Sequence, residues 1–334
     1  MEVFGYAAFV RGSRRWAVRI WLNSHLSMRL AMSISGNVER LLQTGVRLVG
    51  ATPLSHWHER FDIDGADLLR FPCNPPRTSW LEAFATKLHG GVMNCTVCGE
   101  FNWFSIKGEN LREDCTCAEC GSINRNRQIA YLLCRALSRG ADKPIHSLVD
   151  LKRHCSDLKI YNTEASGPIH TQLQTLSGYR CSEYFGSSHQ SGEIVKGIMH
   201  QDLMALSWED NSLDFVLSSD VFEHIPDPYR AHQEVCRVLK PGGRHIFTVP
   251  FDLQGFLDDT RAKLDVKGNP VFLAPPIYHG DPLSPQGILV YTIFGLEMLV
   301  RLRRIGFLTN FFHLSVPWLG IIGPNALVFE SVKL

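Results

Sequence analysis

Between residues 213 and 250 the hydrophobic positions follow three different rhythms. "LDFVLSS" is a short apolar run closed by polar residues, which predicts a buried parallel strand with Asp220 at its carboxyl end. "DPYRAHQEVCRVLK" places Ala231, Val235, Val238 and Leu239 at i, i+4, i+7 and i+8, one face of a helix, with Asp227 as cap and Pro228 in the first turn. "PGG" stops that helix, and "RHIFTVP" predicts the next buried strand. The unit is strand–helix–strand, and its carboxyl rim carries "SSDVFEH", where ligands sit in open α/β sheets.

The same alternation runs from about residue 146 onward, so the sequence predicts an α/β fold with a doubly wound, mostly parallel sheet. "QIAYLLCRAL" reads as a helix before it. Residues 1–90 read as a helical, irregular extension. Its clearest helix is "SWLEAFATKLHGG", with Ser79 and Glu82 as a capping box and Gly90 as its end. "PCNPPRTS" is a linker. The expected organisation is an extension at 1–90, a cysteine-rich module at 91–130 and an α/β domain at 131–334.

Composition narrows the function classes. The 334 residues are 45% hydrophobic and 20% charged, with a net charge of +1, which gives no broad pull toward nucleic acid or acidic membranes. No apolar run reaches the length of a membrane span. Arg11, Arg14, Arg15 and Arg19 interrupt the start, so a secretory signal is not expected. The Arg-rich opening is compatible with a transit peptide, but an amphipathic extension is the plainer reading. Ten cysteines are too sparse for a disulfide scaffold, and four of them form two Cys-x-x-Cys pairs. A reducing, cytoplasmic setting is expected.

Cys95 and Cys98 make one pair, Cys117 and Cys120 the other, each followed by glycine, with eighteen residues between the pairs. That spacing predicts four thiolates around a structural Zn²⁺. Cys115 is a rival to Cys117 that breaks the paired spacing. Arg125 and Arg127, with Phe101, Trp103 and Phe104, form a thin basic and aromatic patch that could meet RNA. The neutral chain argues against a large phosphate footprint, and the aromatics are expected to form the module's small core. His56 and His58 lack neighbouring ligand types and read as surface or packing residues.

The pattern "DFVLSSDVFEHIPDP…EVCRVLKPGG", with "HQDLMALSWEDNSLD" before it, resembles the second half of a class I S-adenosylmethionine-dependent methyltransferase. The resemblance spans about residues 155–334 and implies that fold and a methyl-transfer activity. It implies a cofactor site at Glu164, Ser166 and Gly167 in "NTEASGP", where a serine replaces a usual glycine. It further implies Glu183 as the ribose carboxylate, Asp202 on the adenine amino group with Leu203 backbone beside it, and Ser219 and Asp220 on the rim. A base is needed for a hydroxyl or amine acceptor; His279, with Asp281 nearby, is preferred over His224 beside Glu223. A zinc ribbon ahead of this fold resembles a subgroup found beside glycosyltransferases, which implies a small-molecule or saccharide acceptor. An RNA base methyltransferase and a non-catalytic scaffold are the alternatives.

Overall fold

A computed structural model describes residues 85–138, 144–155, 157–253, 255–281, 284–323 and 325–334, with only the backbone of 281 and 284–286. Before residue 85 it describes the backbone of four strands, Val3–Ala7, Val18–Leu22, Leu48–Gly50 and His58–Ile63. The elements described in that stretch are therefore strands, not the helices expected there. The first two pair as a hairpin and the other two join the main sheet, where cross-strand pairing overrides local pattern. Of "SWLEAFATKLHGG", residues 85–87 are helical and residues 79–84 lie outside the described residues, as does His56.

The main sheet has eight strands, in chain order β1 (Leu48–Gly50), β2 (His58–Ile63), β3 (Ile160–Asn162), β4 (Tyr179–Cys181), β5 (Leu213–Ser219), β6 (Leu239–Thr248), β7 (Phe307–Leu314) and β8 (Leu327–Lys333). Their spatial order is β1-β2-β7-β8-β6-β5-β3-β4. β4, β3, β5 and β6 run parallel, and the remaining pairings are antiparallel. A single parallel bridge between Glu183 and His200 continues the parallel edge beyond β4.

Helices cover both faces, as a parallel sheet requires. The helices are α1 (Asn124–Ser138), α2 (Leu148–His154), α3 (Gly167–Leu173), α4 (Pro228–Val238) and α5 (Glu297–Ile305). Along β5 the side chains alternate: Val216 packs with α4 and α5 through Val235 and Leu299, while Phe215 and Leu217 pack with α1 and α3 through Leu133 and Leu173. The predicted face of α4 is buried throughout, and Asp227 caps it by accepting from the Arg230 amide at 3.0 Å. β6 starts earlier than expected. It runs through Pro-Gly-Gly, with a register shift against β5 between Leu213 and Phe215.

The cysteine-rich segment is not a separate bead. A three-stranded sheet (Gly90–Asn94, Phe101–Ser105, Thr116–Cys117) carries it, and its Val97 and Phe104 share one core with Ile246 and Phe312. The Leu148 amide donates to the Thr96 carbonyl at 2.9 Å, and Asn124 donates to the carbonyl of Ile322.

Candidate active site

The carboxyl ends of β3, β4 and β5 open onto one rim, and the loops leaving them carry acidic residues in series. Glu164 follows β3, Glu183 follows β4, and Asp220 and Glu223 follow β5. The loops are tied together. The Ala165 amide donates to Glu183 Oε1 at 2.9 Å, so the second carboxylate holds the first loop. The Glu183 amide donates to the Met199 carbonyl and the Gln201 amide donates back to the Glu183 carbonyl, which sets Asp202 on the same edge. Asp202 Oδ1 accepts from the Met204 amide at 2.8 Å, and Leu203 sends its side chain into the core.

The "TEASGP" loop turns at Gly167, whose φ of +81° favours glycine. A Cβ there would meet nothing within 4 Å, so the constraint is the turn itself and the space in front of it is open. Ser166 is the residue ahead of α3 and makes no capping hydrogen bond with its side chain. Glu164 is half-buried, and burial pushes its carboxyl up to about 7 against the opposing pull of Arg125. Ser219 is buried, and its hydroxyl has no hydrogen-bond partner among the described residues.

Asp220 sits at φ +52°, and its carboxylate is held by charge. Arg112 grips it with two nitrogens at 2.6 and 2.5 Å, Arg125 adds a third contact at 2.6 Å, and the Thr248 hydroxyl donates at 2.8 Å. Burial opposes the charge, but Arg125 and Arg112 together hold the carboxyl well below its ordinary value. Both arginines come from the cysteine-rich segment. Beyond them, Glu223 is fully buried, which raises its carboxyl to about 7. His224 and His279 approach Glu223 Oε1 at 3.6 and 3.7 Å, and Glu223 in turn raises the His279 imidazole above its usual value. His279 lies on a hairpin strand, Tyr278–Asp281, paired with Ser284–Leu289.

The four paired cysteines converge, with one sulfur of each within 4.8 Å of the others. The Cys95–Cys120 and Cys98–Cys117 sulfur distances are 3.7 and 3.9 Å. Four sulfurs about 2.3 Å from one tetrahedral ion lie roughly 3.8 Å apart, so the cage fits such an ion. Gly99 and Gly121, at φ +79° and +70°, turn their amides back onto the carbonyls of Cys95 and Cys117. Burial pushes the Cys98 thiol up to about 12, a cost that a bound cation would remove. Cys115 lies outside the cage, its carbonyl accepting from Arg127 at 2.5 Å.

A family described as "Methyltransferase domain" matches residues 180–247, from β4 to the end of β6. Across that stretch the chain is similar to methyltransferases. An uncharacterized methyltransferase of Mycobacteroides abscessus is 51% identical over 45 residues, which are 14% of this chain and 17% of that relative. Phosphoethanolamine N-methyltransferase 2 of Caenorhabditis elegans is 40% identical over 48 residues, 14% of this chain and 11% of the relative. The chain thus spans less than a fifth of the length of these curated relatives. A solved methyltransferase from Mesorhizobium loti aligns at TM-score 0.33 and 16% identity, covering 53% of this chain and 91% of that one.

For a class I methyltransferase, the rim residues fit the cofactor chemically. The rim offers carboxylates as acceptors for hydroxyls and an ammonium, and the space before Gly167 is open. The sequence reading missed Arg112 and Thr248 entirely and gave Arg125 the wrong direction. Arg127 also turns inward. Its guanidinium is buried, stacks over Phe104 at 4.7 Å and donates to the carbonyls of Ser122, Cys115 and Gly320. Phe104 does join the core, while Phe101 and Trp103 stay exposed. The core expected of the three aromatics is thus formed by Phe104 alone, and the two arginines of the patch turn inward. Among the described residues no helix is long and apolar enough to cross a membrane.

Proposed function

We propose that this chain moves a methyl group from S-adenosylmethionine to an oxygen or nitrogen of a small-molecule or saccharide acceptor, and that Cys95, Cys98, Cys117 and Cys120 hold a structural zinc. The observation that carries the reading is the ordered series of carboxylates on one rim, Glu164, Glu183, Asp202 and Asp220, in front of an open turn. The cofactor supplies an electrophilic methyl on a sulfonium. Everything else falls to this chain: to bind, to align the acceptor, and to take up a proton.

Glu183 and Asp202 offer carboxylate oxygens for ribose hydroxyls and the adenine amino group. Glu164 stands beside the open turn, ready for the ammonium of the methionine end. The acceptor side of the rim is the Glu223, His224 and His279 group, where a proton can be removed. An RNA acceptor is disfavoured by the inward turn of Arg125 and Arg127.

Calorimetry with S-adenosylmethionine tests the reading against a scaffold. Glu183→Ala and Asp202→Ala should each weaken binding by roughly ten- to a hundredfold, the loss of about 1.5–3 kcal/mol for a hydrogen bond involving a charged group. Unchanged affinity in both variants would move the cofactor elsewhere.

Glu164 gives binding a pH signature. Its folded-state value of about 7 lies above the ordinary 4.5, so the unliganded protein loses stability as pH rises through that window. The cofactor's ammonium favours the charged form. Affinity should therefore fall about tenfold from pH 8 to pH 6, with a proton released on binding near neutrality. Glu164→Gln should flatten the profile, and a profile identical to wild type would remove Glu164 from the site.

A further inference from the structure

The loop after β5 and the hairpin Tyr278–Leu289 bring three ligand atoms to one point: Glu223 Oε1, His224 Nε2 and His279 Nδ1, all within 4.8 Å of one another. Glu223 is fully buried, and the imidazoles of His224 and His279 approach its Oε1 at 3.6 and 3.7 Å, beyond ordinary hydrogen-bond length. A buried carboxylate needs a positive partner. Asp220 cannot provide one, being a carboxylate itself, and its two arginines are spent on it.

His224 is oriented by a contact on its far side. Its Nδ1 lies 2.9 Å from the Leu289 carbonyl, which can only accept, so the proton is on Nδ1. In the neutral ring Nε2 then presents a lone pair toward Glu223 Oε1 at 3.6 Å. His279 meets the same oxygen from a ring set at 88° to that of His224. With both rings neutral, a cation among them offsets the lone pairs that converge on Glu223; a proton on His279 is the competing occupant, and the titration below distinguishes the two. A backbone carbonyl holding the outer nitrogen is also the support that metal-binding imidazoles carry.

We infer that Glu223, His224 and His279 bind a divalent first-row transition-metal ion that coordinates the acceptor's hydroxyl. Two imidazoles and one carboxylate suit that group of metals better than magnesium or calcium, and they leave positions open for the acceptor. Nitrogen and oxygen ligands about 2.1 Å from an ion lie roughly 3.0–3.4 Å apart, so the two carboxylate–imidazole distances of 3.6 and 3.7 Å close by a few tenths of an ångström, and the hairpin carrying His279 supplies any further approach of the two rings. The inference rests on the methyl-transfer reading and sharpens it: both histidines are ligands rather than bases, and the acceptor is a hydroxyl. Coordination lowers the hydroxyl's pKa, and its proton leaves to water. The oxygen pair forms the O–CH₃ bond, the S–CH₃ bond breaks with its electrons left on sulfur, and the sulfonium becomes a neutral thioether.

Manganese(II) is the probe, because it prefers nitrogen and oxygen ligands and so spares the cysteine cage. Free Mn²⁺ is counted by its paramagnetic resonance signal during titration of the full chain with its cysteine-bound metal retained. Wild type should bind one Mn²⁺ and melt higher in its presence. Glu223→Gln and His279→Ala should each weaken that binding by about a hundredfold or more, and leave affinity for S-adenosylmethionine without manganese unchanged. Should Glu223→Gln fail to fold, His279→Ala, on the half-exposed hairpin, carries the comparison. Wild type that takes up no Mn²⁺ below about 1 mM, or variants that bind it equally well, would overturn the inference. A chain that binds S-adenosylmethionine but not Mn²⁺ loses only the metal site. One that binds Mn²⁺ but not S-adenosylmethionine keeps the site and loses the transfer reading.

Discussion

Cys117→Ser should release the zinc proposed for the cysteine cage and lower the melting temperature by roughly 10–20 °C. A structural zinc site contributes about 10–16 kcal/mol of apparent binding energy in small zinc peptides, and that binding is folding energy. Losing one of four thiolates forfeits a large fraction of it; about 5 kcal/mol gives the stated shift in a domain of this size. The effect should not stop at the knuckles, because Cys95, Val97 and Phe104 share a core with Leu217, Ile246 and Phe312 in the main sheet. Metal analysis alongside scanning calorimetry reads both halves. Cys115→Ser is the control: it should keep one zinc per chain, since that sulfur lies outside the cage. A Cys117→Ser protein with a full equivalent of tightly held zinc would sink the assignment.

Asp220→Ala carries the second large effect. It leaves two guanidinium groups facing a space that no longer holds their counter-charge. Removing one partner of a buried ion pair costs about 3–5 kcal/mol, and the lower end applies because 12–19% of each side chain reaches solvent. Denaturant midpoints should show the loss. Asp220→Ala combined with Arg112→Ala should recover part of it, because one stranded charge is then gone. A single variant within about 0.5 kcal/mol of wild type would mean the arginines find other partners. The pH dependence has a definite sign. The folded-state value lies below the ordinary 3.8, so this stabilisation is complete at neutral pH and is lost only as pH falls below about 4.

What could be read from the sequence was local in character. The strand ending at Asp220, the Asp227 cap and the buried face of α4 each follow from spacing within a dozen residues. The cage was legible for the same reason, since each thiol pair lies within one turn. What escaped is what depends on distant partners. Arg112 and Asp220 are 108 positions apart, and no periodicity links them. Arg127 looks like any surface arginine until Gly320 is placed beneath it. The strands before residue 64 were missed because β2 gains its pairing from β7, some 250 residues later. The Glu223, His224 and His279 group was half visible: Glu-His was plain, but the hairpin that delivers His279 is a long-range feature.

The hydrogen bonds that Arg127 and Asn124 make to Gly320 and Ile322 also set an order of assembly during translation. The cysteine knuckles leave the ribosome with all four thiols in hand. The layer that seats them, however, is completed by the last thirty or so residues, because β8 is central in the sheet. Until then Phe104 and the inner face of α1 have no floor. The nascent protein therefore passes through a long interval with the apolar underside of its cysteine-rich segment uncovered. In that interval a holding chaperone has most to offer, and a premature stop shortly before Leu327 would leave the molecule permanently there.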